Sequence, residues 1–225
     1  MSIGMKLGML GASGGGGAGY ANLEFLVNPD ASTKTVQGAE YDVAAGVTNW
    51  ATSNNLSGQV SSYHTFAIGA YFEINVAGTI LALGQSTKHD DDMWLALWKV
   101  DSGTPGTGTP STTLIESFDD PGLGHGITKS SGHEPEFQYI NLTTPYEVAD
   151  GDKMMTGMWC TKAWDSGIDY FGHGSGTENT VSGNMTWLGM SSLYAWPQDG
   201  SLQFPNRTPW TGGQYGCTDV IFAPS

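Results

Sequence analysis

Basic side chains are scarce in this chain. Its 225 residues hold 8 Lys and Arg against 22 Asp and Glu, a formal net charge of −14, and Arg207 is the only arginine. Neutralising a phosphate backbone takes clustered cations, so nucleic acid is excluded as a partner. Charge of either sign is thin, 13% of residues where about 25% is usual. With 11% aromatics, that composition does not describe a disordered chain. The residues that dominate coiled coils and long helices are too few for either. Cysteine is limited to Cys160 and Cys217, which is no disulfide framework. The two read as free buried thiols, with pairing left open. No apolar run approaches the roughly 18 residues of a membrane-spanning helix. Residues 1–10 carry one cation, Lys6, and their apolar residues are split by Gly4 and Gly8. A secretory core needs roughly 7–15 contiguous apolar residues, so export by cleavage is not expected.

Glycine and aromatics are plentiful instead. There are 33 glycines and eight tryptophans. From residue 41 onward, short apolar or alternating segments are separated by Gly, Pro, Asp and Ser. Strands are expected over 66–74, 78–83, 93–100, 112–118, 137–142, 152–160, 168–171, 185–190 and 216–222. No window shows a sustained helical period. Many short strands with glycine-rich turns point to an all-β sandwich or barrel, with an antiparallel β-sandwich of two packed sheets as the natural architecture. The chain divides into a glycine-rich extended tail (1–19), a connector (20–40) and the sandwich (41–225). Free in water, a run such as Gly14 to Gly17 is a flexible linker, and flexible tails often order against a neighbour. The tail therefore reads as an assembly anchor, its apolar residues being Ile3, Met5, Leu7, Met9 and Leu10. Residues 102–111 read as an exposed hairpin tip. Two further long loops, 119–133 and 194–211, are of the length that usually carries function or an interface.

Several patterns imitate catalytic motifs. Gly11-Ala-Ser-Gly-Gly15 spells G-x-S-x-G and Gly14-x-Gly16-x-x-Gly19 spells a dinucleotide fingerprint. Neither has the strand–turn–helix context that such motifs require. His89-Asp-Asp-Asp92 offers oxygen ligands of the kind calcium takes, without the D-x-D-x-D-G spacing. It reads as a solvated turn, with calcium left open. The histidines His64, His89, His125, His133 and His173 lack the close ligand pairs of a zinc site. Asp165 with Asp169, or Glu134 with Glu136, are the carboxylates to test for glycoside cleavage, which needs two at about 5–9 Å. No cofactor and no catalytic residue is expected.

The aromatics are more informative. Trp50, Tyr63, Trp164, Tyr170, Trp187, Tyr194, Trp196, Trp210 and Tyr215 fall in or beside expected turns. Flat rings with polar tips suit sugar faces and protein interfaces, and core burial is an equal alternative for each. Trp94, Trp98 and Trp159 are expected in the core. Trp164, Tyr170, Tyr194, Trp196 and Trp210 are the candidate receptor-binding residues.

The segments Ala67-Ile-Gly-Ala-Tyr-Phe72, Gly78-Thr-Ile-Leu-Ala-Leu83, Leu95-Ala-Leu-Trp-Lys-Val100, Phe137-Gln-Tyr-Ile-Asn-Leu142 and the turn Thr144-Pro-Tyr-Glu-Val-Ala-Asp-Gly-Asp152 together resemble a jelly-roll-like module of tailed-phage structural proteins and bacterial surface proteins. The likeness covers under half of the chain and its motifs mark a fold rather than a chemistry. Met1 to Gly19 is similar to the tails that open many phage head and tail proteins. The resemblance implies a virion protein, a homo-oligomer with a trimer favoured, held to other virion proteins by its N-terminal tail. It implies a tail fibre or tail tip that meets a host glycan or protein receptor, or else a capsid decoration protein. A stand-alone carbohydrate-binding module and a hydrolase are the expectations from other classes.

Overall fold

The computed structural model describes residues 20, 22–27, 34–42, 44, 58–61, 67–85, 93–119, 137–160, 168–173, 180–193, 202–206, 214–216 and 218–225. Every regular element among them is a strand: β1 (Glu24–Phe25), β2 (Lys34–Val36), β3 (Ala39–Tyr41), β4 (Gly58–Ser61), β5 (Ala67–Ile74), β6 (Gly78–Gln85), β7 (Met93–Ser102), β8 (Ser111–Asp119), β9 (Gln138–Val148), β10 (Lys153–Cys160), β11 (Ile168–His173), β12 (Thr180–Ser182), β13 (Met185–Leu193), β14 (Gln214–Gly216) and β15 (Thr218–Pro224). A four-stranded sheet, β1-β15-β6-β9, packs on a six-stranded one, β12-β13-β5-β10-β7-β8. All of the pairings are antiparallel, so the antiparallel β-sandwich is the fold. A three-stranded sheet, β14-β11-β4, and the β2–β3 hairpin accompany it.

Several strands carry apolar residues on both faces. In β7, Leu95 and Leu97 point between the sheets, while Trp94, Ala96, Trp98 and Val100 form a second buried cluster on the outer face. Leu202 and Phe204 cover that outer face, and the Phe204 ring meets Trp98 edge-on at 5.4 Å. In β15, Val220 and Phe222 face inward, while Ile221 and Ala223 face outward into a third cluster with Leu23, Phe25 and Val36. A strand buried on both faces reads as a continuous apolar run.

The expected connector belongs to this architecture. Leu23, Phe25, Leu26 and Val27 are buried, and β1 pairs with β15 through Glu24↔Phe222 and Phe25↔Ile221. The β2–β3 hairpin sends Val36 into the same outer cluster. Its two-residue turn, Gln37 (φ 53) and Gly38 (φ 77), has the two positive φ values that match hairpin twist.

Strands 66–74, 78–83, 93–100, 112–118, 152–160, 168–171 and 185–190 are found with shifted ends. The expected turn at 144–152 differs: β9 runs on to Val148, and only Ala149 to Asp152 turns. The expected strand at 216–222 is divided between β14 and β15. The hairpin over 102–111 joins β7 to β8 with a largely exposed tip.

Candidate functional site

Two sheets that merely stack leave open mouths along their edges. Here side chains from distant parts of the chain close both. On one side β1 lies over β12 and its turn. The Glu24 carboxylate, 4% exposed, accepts from Asn184 N at 2.8 Å and Asn184 Nδ2 at 2.7 Å. Ser182 Oγ lies 3.0 Å from the carbonyl oxygen of Phe25 and 2.8 Å from that of Leu26. On the other side, β8 meets β9. The two oxygens of Glu116 accept from Thr143 N at 3.1 and 3.0 Å, and the Thr143 hydroxyl donates to the same carboxylate.

Asp219 completes the first closure. Its side chain is fully buried in β15. Oδ1 accepts from Leu26 N and Val27 N, both at 2.9 Å, and from Val220 N at 2.8 Å. Oδ2 accepts from the Tyr139 hydroxyl at 2.8 Å. A buried carboxylate is tolerable when hydrogen bonds meet its lone pairs. Tyr139 reaches it because Gly84, its register partner, has no Cβ. A Cβ there would run into the Tyr139 ring.

A break in β6 is handled in the same way. Between Ile80 and Ala82 the register with β9 slips, and four β9 residues, 142–145, stand opposite Leu81. The Gln37 amide donates to the carbonyl oxygens of Leu81 at 3.1 Å and Leu142 at 2.8 Å. Pro145, which has no N–H to offer, sits inside the break, where a strand accepts proline. β13 carries a second bulge between Trp187 and Gly189. The extra residue lets Met185, Trp187 and Met190 all face the inner core.

Charged groups at the surface form ordinary pairs. Lys99 Nζ lies 2.7 Å from Asp152 Oδ1. Burial alone would raise the Asp152 carboxyl. The hydrogen bonds from Lys99 and from Ala149 N, with the Lys99 charge, outweigh it and hold the group below its ordinary value. The Lys99 amine is raised, chiefly by its bond to Asp152. Tyr20 packs on Tyr41 with centroids 5.8 Å apart. Burial, then Tyr41 and the Glu147 carboxylate of β9, push its hydroxyl up.

The aromatics separate. Trp94 and Trp98 are core residues, 5% and 4% exposed. Trp187, expected in or beside a turn, lies within β13 and is fully buried; burial is its role. Tyr170 pairs with Gln59 in the β11–β4 register, and Gly172 pairs with Tyr215 in the β11–β14 register. One small sheet therefore carries Tyr170 and Tyr215 at neighbouring register positions. Asp169 stands opposite Val60 in the same sheet.

Trp50, Tyr63, Trp164, Tyr194, Trp196 and Trp210 lie outside the described residues. So do Ile3, Met5, Leu7, Met9 and Leu10, the acidic run 90–92, Glu134, Glu136, Asp165, Cys217 and the histidines other than His173. Of the 194–211 loop, residues 202–206 are described, and they line the outer aromatic face. There Asn206 accepts from Gly106 N at 2.8 Å and donates to Gly108 O at 2.7 Å, pinning the loop to the 102–111 hairpin.

Among the described residues no group of three or more His, Cys, Asp or Glu gathers as a metal site, and no helix is long and apolar enough to cross a membrane. The buried carboxylates Glu24 and Asp219 are engaged as structural acceptors across strands. What the described part offers is a sandwich whose sheet edges are tied together by its own side chains. No family model matches this chain, and no curated protein matches it.

Proposed function

We propose that this protein is a non-enzymatic structural protein of a tailed-phage virion, a tail fibre or tail-tip protein. Residues 1–19 attach it to other virion proteins, and the sandwich projects for host attachment. The observation that supports this reading most is the closure of the sandwich by its own residues. β1 and β15 pair, and Glu24, Asp219 and Glu116 tie the sheet edges together through contacts that involve none of residues 1–19, which suits an attachment role for that segment. The buried acids serve as acceptors in the scaffold, which fits a support better than a reactive cleft.

The receptor side falls to Tyr170 of β11 and to Trp164, Tyr194, Trp196 and Trp210, which lie in or beside the expected loops. A chain of net charge −14 is repelled by polyanions, so neutral sugars or a protein receptor suit it better. The test is binding of labelled protein, with and without residues 1–19, to a panel of bacterial cells. Saturable binding, blocked by unlabelled protein and lost on alanine substitution at those aromatics, is the expected result. A folded, correctly assembled sample that binds no cell in the panel would overturn the adhesin role and favour a capsid decoration protein.

The register that brings Tyr170 and Tyr215 to one small sheet favours a second reading, a stand-alone carbohydrate-binding module. That reading expects glycan affinity in the isolated monomer, measurable by calorimetry.

A further inference from the structure

The described edge strands of the two large sheets differ in how they treat a newcomer. β1 and β12 are two and three residues long, and Glu24 and Ser182 clasp them to each other's neighbourhood. β9 is interrupted over 142–145, carries Pro145, and has its Thr143 N–H taken by Glu116. Such features blunt an edge against further pairing. β8 is longer, nine residues over Ser111–Asp119, and has no proline; its one bulged residue is Ile115, where the register with β7 slips. Among the described residues its one strand partner is β7. Leu114, opposite Trp98 in the register, is 45% exposed.

The segment 3–10 has the matching pattern. Ile3, Met5, Leu7 and Met9 are apolar at every second position, with Gly4, Lys6 and Gly8 between them. Period two is the signature of a strand with one apolar face. Eight residues in a strand span about 27 Å, close to the ~30 Å of a nine-residue edge. Lys6 is the one charged side chain in residues 1–19, while Asp101, Glu116 and Asp119 lie on or beside β8. Residues 11–19 follow as a glycine-rich linker, with a root-mean-square span of roughly 15–18 Å.

We propose that β8 is an acceptor edge and that residues 3–10 of a second copy of this chain add to it as a further strand of the six-stranded sheet. The inference deepens the anchor role proposed above and rests on it. Tyr20, where the linker ends, packs with the cluster on the outer face of the four-stranded sheet, and Leu114 lies at the opposite outer face. To reach its own β8 the segment must turn round the seam that Glu116 and Thr143 hold shut. A neighbour's β8 demands no such wrap.

The test is made on the full chain by sedimentation over a range of concentrations. Association that rises with concentration is expected. The double variant Lys6→Pro/Leu7→Pro removes one N–H from each phase of the added strand and lies outside the described sandwich. It is expected to raise the dissociation constant at least about tenfold. Leu114→Arg, which sets a charge at an exposed site opposite the apolar face of the added strand, is expected to weaken association while the circular dichroism spectrum stays unchanged. A mixture of Leu7→Cys protein with Leu114→Cys protein should form a disulfide between copies, identified as the 7–114 pair by peptide mass spectrometry.

A chain that stays monomeric at every concentration overturns the proposal. So does a proline variant that associates as tightly as the parent, or a 7–114 disulfide that forms only within a chain carrying both substitutions. Particle assembly separates the two readings. If deleting residues 1–19 blocks incorporation into particles and yet no 7–114 disulfide forms between copies, the anchor stands and β8 is not its acceptor. If incorporation survives the deletion, the anchor itself falls.

Discussion

The side-chain amide of Gln37 donates to the backbone carbonyl of Leu81 across 44 residues of sequence, at 3.1 Å, and also to Leu142 O at 2.8 Å. The turn of one hairpin thereby fills the break in another sheet's ladder. Gln37→Ala leaves two carbonyls without that donor and should cost about 1–3 kcal/mol. Gln37→Asn is the discriminating variant. Asparagine tolerates the positive φ of this turn but is one methylene too short, so chemical denaturation should show no rescue.

Asp219 joins β15, the end of β1 and β9 through one carboxylate. Asp219→Ala strands buried amides and the Tyr139 hydroxyl, at an expected cost of about 3–5 kcal/mol. Tyr139→Phe removes a single donor and should cost about 1–2 kcal/mol. Because the two share one bond, the double variant should cost less than the sum, which a double-mutant cycle in urea would read.

Thr156 has a fully buried hydroxyl that finds no hydrogen-bond partner among the described residues. Thr156→Val exchanges that oxygen for a methyl of similar size. The expected outcome is a gain of about 1 kcal/mol in unfolding free energy, since an unmet buried polar group is the costly state. A loss instead would show that the hydroxyl has a partner.

The Lys99–Asp152 pair sets a pH dependence with a definite sign. The Asp152 carboxyl is held below its ordinary value of 3.8, so its contribution is present above that pH and disappears as pH falls through the lower folded value. Lys99 is raised above 10.5, so its contribution is present below 10.5 and disappears as pH rises past the folded value. Both groups keep partial solvent contact, which limits the pair to about 1 kcal/mol. Asp152→Asn should lower the urea midpoint at pH 7 and leave it nearly unchanged at pH 2.

The fold class was legible in the sequence because turns and short apolar runs recur from residue 41 onward. The two-faced strands were harder. In β7, tryptophans and leucines alternate across two buried faces, so no polar phase marks the period. Gln37-Gly38 is a less familiar hairpin turn than Asn-Gly, and the segment containing it read as a connector. Trp187 looked peripheral because the bulge at 187–189 interrupts the alternation around it. The seams were not legible at all. Glu24 finds Asn184 at 160 residues' separation and Asp219 finds Leu26 at 193, and a sequence carries no local sign of such partners. The candidate receptor residues followed from side-chain chemistry alone, and of the five only Tyr170 falls within a described strand.

The pairing of β1 with β15 has a mechanical consequence. Glu24 faces Phe222 and Phe25 faces Ile221, so the two strands run head to tail with their outer ends together. Tension between the tail side of Tyr20 and Ser225 would pull both strands from that common end, peeling their ladder one rung at a time. Tension from the tail toward the far end of the six-stranded sheet must instead slide β1 past β15 and break several bonds at once, with Glu24 and Asp219 as rivets. A domain loaded along the second direction withstands force far better than one loaded along the first. The same sandwich is thus strong or weak according to where on its surface the load is applied.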